Sequence, residues 1–410
     1  MRALLGPTLT HESFRRDRHF GGLDGVRAIA ALAVVGFHFS GPAPMFTGGW
    51  LGVHMFFVLS GFLITTLLLR EEETTGRISL LGFWVRRIFR IAPAYYAAFL
   101  GSYLLLRWGG VWEAAGGPAA VPYFLTFNPE YSPSFINFQQ AWTIGIEQKF
   151  YLVWPLLAFV LLPLLGAVVG GAQRVRAVAW LLIAPTAAWV ILWQHNLVGI
   201  HYTAILLGCG IALFMHIELT CRMLALLSSR VVQVALAIGV YYVQRHSFDL
   251  TVGWGGQGPV ILLFALLCAL SLPSLCGRTE ISRVLALAPF KWLGERSYSI
   301  YLFQVIGGHF VSMALPDWRN DLHKTLVVLV VTIMIADFVY RFVERPGIQA
   351  GRQIARWLAA HPIRLRTTPA APVPAVGAVP SLDDELERPR QDSERSDAGL
   401  DTGCIGGRRA

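Results

Sequence analysis

The chain has 410 residues, of which 55% are hydrophobic and only 14% are charged, and its mean hydropathy is +0.53. Soluble domains carry about 25% charged residues, so this composition excludes an ordinary soluble protein and indicates a polytopic membrane protein. The net charge of +9 is explained by basic residues that orient membrane spans, so no nucleic-acid partner is expected.

Apolar stretches predict an all-α membrane bundle of about ten transmembrane helices. They lie near residues 24–40, 50–69, 93–107, 142–166, 177–194, 199–217, 223–243, 257–275, 297–314 and 324–342. With the N-terminus inside, the outer segments hold only four basic residues, namely Arg107, Arg245, Arg319 and Lys324. Because basic residues favour the cytoplasmic side, this asymmetry predicts that both termini are cytoplasmic.

The domain organisation is predicted to be simple. Residues 1–22 form a polar lead, residues 23–366 form one membrane domain, and residues 367–410 have the Pro-rich, charged composition of a disordered cytoplasmic tail. The longest outer segment, residues 108–141, predicts a structured re-entrant or interfacial loop. The five cysteines show no CxxC spacing, so neither a disulfide framework nor a metal site is predicted.

The first predicted span contains two ionisable residues, Arg27 and His38, which are eleven positions apart. At about 100° per residue the two side chains share one helical face, about three turns apart. Ionisable residues inside membrane helices usually face a bundle interior or a wet cavity. We therefore predict that this pair belongs to a functional site.

The second span contains Gly52, Ser60 and Gly61, whose small side chains favour close helix packing. Ser60 as a nucleophile is the weaker alternative, because no base lies beside it in the sequence. His54 falls near the outer boundary, where an interfacial role and a functional role both remain open.

A cationic segment containing Arg86, Arg87 and Arg90 precedes the third predicted span. Guanidinium groups at these helical spacings suit phosphate binding. They also suit anchoring against anionic lipid, and the residues alone leave both roles open.

The fourth span begins with a polar block that contains Glu147 and Lys149. Two residues apart, the side chains point about 200° away from each other, so they are not expected to pair. Glu147 therefore needs another partner: it either orients His38 or bonds a neighbouring Arg, Tyr or Trp in a structural role. We favour the functional role.

The last polar blocks lie at the ninth and tenth spans. Ser297, Tyr298 and Tyr301 share a helical stripe that either lines a pore or makes interhelical hydrogen bonds. Glu344 is predicted to end the tenth helix just before Pro346.

Taken in this order, the blocks resemble the acyltransferase-3 family of integral-membrane O-acyltransferases. The resemblance covers residues 22–356. Its matching stretches are residues 23–38, 49–65, 86–96, 142–155, 294–302 and 344–346.

The resemblance implies transfer of an acyl group, commonly acetyl from acetyl-CoA, to a hydroxyl of a polysaccharide, a glycolipid or a macrolide-like small molecule. The family's Arg-x10-His pattern falls on Arg27 and His38, and its Arg-x-x-Arg pattern falls on Arg87 and Arg90. Its Trp-Ser-Leu-x-x-Glu-Glu-Gln-Phe-Tyr block is similar to residues 142–151, in which Glu147 is the only carboxylate.

The chain departs from the family pattern at several positions. Gln148 and Lys149 stand where Glu and Gln are usual. His54 and His201 stand where Asp and Arg are frequent, and Gln304 stands where His is frequent. We expect these changes to affect acceptor choice more than the Arg27–His38 pair.

The resulting hypothesis is a multi-pass acyltransferase of the cell membrane that uses acetyl-CoA or another acyl-CoA, without a metal. Arg86, Arg87 and Arg90 would bind the phosphates of the donor, and His38 would take the proton of an acceptor hydroxyl. Glu147 would orient His38, and Arg27 would stabilise developing negative charge. Direct transfer and a transient acyl-histidine both remain open.

The rival prediction from the same residues is a proton-coupled transporter of small solutes, because intramembrane Arg, His and Glu can form a proton pathway. The sequence shows no inverted repeat, which argues against it. Membrane lipid and a carbohydrate or small-molecule acceptor are the expected partners.

Overall fold

The computed structural model describes residues 9–17, 19–41, 47–134, 136–164, 180, 197–319 and 321–361. The chain divides into two units, residues 1–367 and 368–410, and the second unit lies outside the described residues. The predicted disordered tail and nearly all of the predicted span at 177–194 also lie outside them. All regular structure in the described part of the chain is helical, which confirms the predicted all-α class.

The helices are numbered in chain order. They are α1 (His11–Arg16), α2 (Gly21–Phe39), α3 (Gly52–Thr75), α4 (Leu80–Trp108), α5 (Gly117–Leu125), α6 (Trp142–Leu156), α7 (Leu197–His216), α8 (Glu218–Ala225), α9 (Arg230–Arg245), α10 (Ser247–Gly253), α11 (Gln257–Cys276), α12 (Glu280–Leu285), α13 (Ala288–Glu295), α14 (Ser297–Ala314), α15 (Leu322–Val339) and α16 (Arg345–Ala360). Two π-helical turns, Leu157–Leu161 and Tyr340–Glu344, follow α6 and α15.

Within the described residues, seven helical segments are long and apolar enough to cross a membrane. They are Gly21–Phe39, Gly49–Thr75, Leu80–Trp108, Gln139–Leu164, Gly199–His216, Gln257–Cys276 and Leu322–Ala360. The predicted number of about ten is not confirmed, and the cytoplasmic position of the termini stays a prediction.

The predicted span at 223–243 is not formed by one helix. The segments Glu218–Ser228 and Arg230–Arg245 meet at an angle of 74°, so together they form at most one broken span, which would be the eighth. The bend has a local cause, because Ser229 has the extended dihedrals φ −68° and ψ 147° and interrupts the helix.

The third span is longer than predicted. Helix α4 has 29 residues and begins at Leu80, because the Ser79 side chain accepts a hydrogen bond from the Gly82 amide and caps the helix. Arg86, Arg87 and Arg90 therefore lie inside this helix, whereas the sequence placed them before the span.

The predicted helix end at Glu344 is also wrong. Residues Leu322–Ala360 form one continuous helical segment of 39 residues. The π turn Tyr340–Glu344 widens the helix, and Pro346 then occupies the first turn of α16, where its missing N–H leaves no hydrogen bond unmade.

Residues 9–16, the first that the structure describes, pack against the bundle. Leu9 and Phe14 are buried, and the Leu9 amide donates to Ser228 Oγ at 3.2 Å. The His11 ring meets the His216 carbonyl oxygen at 3.2 Å. The predicted polar lead thus has an apolar face.

Helices α3 and α7 cross at two glycines. A Cβ on Gly61 would lie 2.0 Å from the Ile205 carbonyl oxygen, and one on Gly208 would lie 2.0 Å from the Val58 carbonyl oxygen. The backbones can approach this closely only because neither position carries a side chain. Ser60 precedes Gly61, so this close contact also fixes the position of Ser60 relative to α7.

The described residues of 109–134 and 136–141 form a structured loop, as the sequence predicted for residues 108–141. The hydroxyl groups of Tyr95 and Tyr96 in α4 donate to the carbonyl oxygens of Phe124 and Leu125, at 2.9 and 2.8 Å. Further along the loop, Glu130 accepts a hydrogen bond from the Lys149 ammonium of α6. The loop is therefore attached to both α4 and α6.

The Gly61 contact can be tested by adding one methyl group. We expect Gly61→Ala to destabilise the protein by about 1–3 kcal/mol, because the new Cβ meets a backbone atom that cannot rotate away. Gly239→Ala is the matched control, since its Cβ would make an ordinary 3.5 Å contact with Leu267. Thermal unfolding in detergent measures both, and equal midpoints would contradict the prediction.

The Lys149–Glu130 pair provides a second prediction. The Glu130 side chain is 4% exposed and that of Lys149 is 31% exposed. Lys149→Met leaves a buried carboxylate without its partner, so we expect a loss of about 2 kcal/mol, less than for a fully buried pair. The double variant Lys149→Met/Glu130→Gln should recover most of it. A double variant as unstable as Lys149→Met alone would refute the role of the charge.

Candidate functional site

Glu147 is held by two hydroxyl groups inside the bundle. Ser60 Oγ donates to Glu147 Oε1 at 2.7 Å, and Tyr151 Oη donates to Glu147 Oε2 at 3.2 Å. Ser60 and Tyr151 are buried, whereas Glu147 is half-buried. Each carboxylate oxygen thus has a partner and keeps capacity for another hydrogen bond.

The local helix geometry explains this arrangement. Glu147 and Tyr151 are four residues apart in α6, so their side chains lie on one face, one turn apart. Lys149 lies on the opposite side of the same helix and binds the loop at Glu130. The structure thereby confirms that Glu147 and Lys149 do not pair.

Two guanidinium groups balance this carboxylate. Both Arg27 of α2 and Arg90 of α4 interact electrostatically with Glu147. Arg27 is half-buried and makes no direct hydrogen bond or ion pair with any residue that the structure describes.

A second carboxylate, Glu344, belongs to the same charge cluster. It is fully buried and lies in the π turn after α15. Ser299 Oγ donates to Glu344 Oε2 at 2.6 Å, and Arg90 and Arg27 interact electrostatically with Glu344. Arg90 is thus shared by the two carboxylates. We call Arg27, Arg90, Glu147 and Glu344 the charge cluster.

His38 lies apart from the charge cluster. It is exposed at the end of α2, and its Nδ1 lies 3.1 Å from the Val34 carbonyl oxygen. Its ring neighbours are Phe37 and Phe39. At about 1.5 Å per residue, the eleven residues from Arg27 place His38 about 16 Å further along the helix axis. Glu147 interacts electrostatically with Arg27, and among the described residues it makes no contact with His38.

The three arginines of α4 do not form one surface. Arg86 makes an ion pair with Glu71, with Nη2 and Oε2 3.1 Å apart. Arg87 lies over the Phe83 ring at 5.6 Å and interacts electrostatically with Tyr151. Arg90 faces the charge cluster.

Sequence reasoning missed two members of this site. Ser60 was assigned to packing, because its partner is 87 residues away and cannot be read from local spacing. Glu344 was assigned to a helix end, although it belongs to the 344–346 block that carried the family resemblance. The 344–346 block was therefore the sequence feature that could have identified Glu344 as a site residue.

Tyr298 and Tyr301 make interhelical hydrogen bonds, which was one of the two roles left open. Tyr298 Oη donates to the Ile91 carbonyl and Tyr301 Oη donates to the Gln140 carbonyl, both at 2.9 Å. The first bond joins α14 to α4, which carries Arg90. The second joins α14 to the residues just before α6, which carries Glu147.

Two departures from the family pattern contact each other. His54 Nε2 lies 3.0 Å from His201 Nδ1, which joins α3 to α7. The Trp142 ring covers His201 with a centroid separation of 4.6 Å. Each neutral imidazole carries one N–H, so one ring donates to the other without any net charge.

Within the described ranges, no group of three His, Cys, Asp or Glu side chains is arranged to hold a metal ion. The side chains assembled at the charge cluster are guanidinium, carboxylate and hydroxyl groups. These bind phosphates, amides and hydroxyls through hydrogen bonds.

Comparison with known proteins gives relatives of one kind. The peptidoglycan O-acetyltransferase OatA of Listeria monocytogenes is 27% identical over 80% of this chain and 56% of its own length. A Staphylococcus aureus protein named "Putative O-acetyltransferase SAR0937" is 25% identical over 85% of this chain and 60% of its own length. The chain thus spans about 60% of the length of the curated relatives it matches. No solved structure shows detectable similarity.

The family model for an acyltransferase domain matches residues 20–341, which is more than half of the chain and includes Arg27, His38, Arg90 and Glu147. The chain is a multi-helical membrane protein and belongs to the acyltransferase-3 family.

Proposed function

We propose that this protein moves an acetyl group from acetyl-CoA to a hydroxyl of a cell-envelope carbohydrate. The observation that carries the proposal is the charge cluster, in which residues of four separate family blocks meet inside the bundle. Relatives named as peptidoglycan O-acetyltransferases support a glycan acceptor. The basic residues favour a cell-membrane location with both termini in the cytoplasm.

Arg86, Arg87 and Arg90 bind the phosphates of the donor from three separate positions along α4, with Arg90 at the charge cluster. Guanidinium groups bind phosphate oxygens through paired, charge-assisted hydrogen bonds. Arg86 already holds the Glu71 carboxylate, so its part in binding is an exchange of one anion for another.

His38 is the group that receives the acceptor proton. Because the Val34 carbonyl accepts a hydrogen bond from Nδ1–H, the lone pair of the neutral ring lies on Nε2. The acceptor oxygen forms the new ester bond to the acetyl carbon, and the C–S bond of the thioester breaks. The hydroxyl proton passes to Nε2 and then to the departing thiolate. An acetyl-imidazole on the same Nε2 would accomplish the transfer in two steps.

Arg27 and His38 are about 16 Å apart along α2, so they act on different parts of the donor. Arg27 lies too far from Nε2 to bind the oxygen of the same thioester, so we assign it to holding the donor. A donor with a long arm can contact the charge cluster at one end and His38 at the other. The reacting carbonyl then lies at the His38 end.

The experiment that tests this function measures CoA-thiol release from acetyl-CoA by the purified full-length protein. A peptidoglycan digest serves as the acceptor. We expect acceptor-dependent release by the wild type, and a loss of about 10²–10⁴-fold in His38→Ala, because general base catalysis contributes this much. His246→Ala is the control, since His246 lies at the surface beside Asp249.

Equal release by the wild type and a folded His38→Ala variant would remove His38 from the mechanism. Proton-coupled solute uptake into liposomes without thiol release would instead favour the transporter, which the same intramembrane charges also suit.

A further inference from the structure

The hydrogen-bonding groups of Glu147 and Arg27 indicate which kind of ligand the two residues bind. Glu147 presents acceptor oxygens that Ser60 and Tyr151 only partly occupy. Arg27 presents a guanidinium that hydrogen-bonds to none of the described residues. Within electrostatic range of each other, the two residues suit a ligand segment that has a hydroxyl or N–H donor near an anionic or carbonyl oxygen.

The distance along α2 from His38 to Arg27 indicates which part of the donor reaches Arg27 and Glu147. The pantetheine arm of coenzyme A has about twelve bonds between sulfur and its phosphate end, comparable to four residues of extended chain. At about 3.5 Å per residue it spans about 14 Å. That length nearly equals the distance of about 16 Å from His38 to the level of Arg27. With the thioester at His38, the pantoyl end and the adjoining phosphate reach the charge cluster.

The charge cluster holds two guanidinium groups and two carboxylates, so its formal charges balance before a donor binds. Arg90 interacts with Glu147 and Glu344, and Arg27 interacts with both as well. A bound phosphate adds negative charge, which two guanidinium groups stabilise at short range.

We propose that Arg27 and Glu147 form the recognition site for the pantoyl end of the donor arm, in which Glu147 accepts a hydrogen bond from the pantoyl hydroxyl and Arg27 donates to the adjoining phosphate. This inference rests on the proposed function, because it requires an acyl-CoA donor. It makes Glu147 a residue that binds the donor and does not orient His38.

Donors of different length test the proposal. The series is acetyl-CoA, S-acetyl-4′-phosphopantetheine, S-acetylpantetheine and S-acetyl-N-acetylcysteamine. The last compound retains only the two-carbon amide end, about 7 Å long, and cannot extend from His38 to Glu147. The measurements are kcat and KM for each donor, with the wild type and folded variants in detergent.

Glu147→Gln should raise the KM of the first three donors by about tenfold, the effect of one hydrogen bond to a charged group. It should leave kcat/KM for S-acetyl-N-acetylcysteamine unchanged. Arg27→Gln should raise the KM only of the two donors that carry phosphate. Glu218→Gln is the control, because Glu218 pairs with Arg222 on the exposed surface.

A Glu147→Gln variant that loses activity equally with all four donors would overturn the proposal, since Glu147 would then act on the thioester or on His38. Calorimetric titration with pantetheine, which carries no acetyl group, provides a readout that needs no turnover. Equal pantetheine affinity of the wild type and Glu147→Gln would also overturn it. Wild-type protein that cleaves no acetyl-CoA would instead refute the proposed function.

Discussion

The mutual neutralisation of buried charges is the constraint on which the rest of this structure depends. Each lone charge at the centre of a bilayer-spanning helix costs about 2.5–3.5 kcal/mol or more. In this protein Arg27, Arg90, Glu147 and Glu344 reduce that cost for one another. They come from α2, α4, α6 and the π turn after α15, so the charge cluster fixes the relative depth of four membrane segments.

The π turn and the helix after it show how the chain meets this constraint. The turn brings Glu344 to Ser299, and α16 then continues along α4. A Cβ on Gly347 would lie 2.6 Å from the Phe89 carbonyl oxygen, and one on Gly351 would lie 2.6 Å from Phe89 Cβ. These glycines allow α16 to pack directly on the turn of α4 that precedes Arg90. The helical segment Leu322–Ala360 therefore carries Glu344 and also packs against α4 next to Arg90, which interacts with Glu344.

The sequence predicted features that depend on the geometry of one helix. The 3.6-residue period correctly separated Glu147 from Lys149, and a partner such as Tyr151 was among the alternatives considered. It could not reveal Ser60 as a partner, because that contact depends on how α3 packs against α6. A proline such as Pro346 ordinarily predicts a helix end. In this chain the π turn before Pro346 lets the helix continue, so that prediction fails. Averaged hydropathy likewise conceals the bend at Ser229, which depends on a single residue.

Three of the residues that depart from the family pattern, His54, His201 and Lys149, contact polar partners. His54 meets His201, and Lys149 meets Glu130 of the loop. A charged Asp–Arg pair and a neutral His–His pair each leave the bundle without net charge, whereas exchanging one member alone would leave a charge without its counterpart. Such positions are therefore constrained to change together. His54 and His201 lie within the first five residues of α3 and α7, whereas Lys149 lies in α6 two residues after Glu147 of the charge cluster. The two contacts join α3 to α7 and α6 to the loop, and neither one uses a member of the charge cluster.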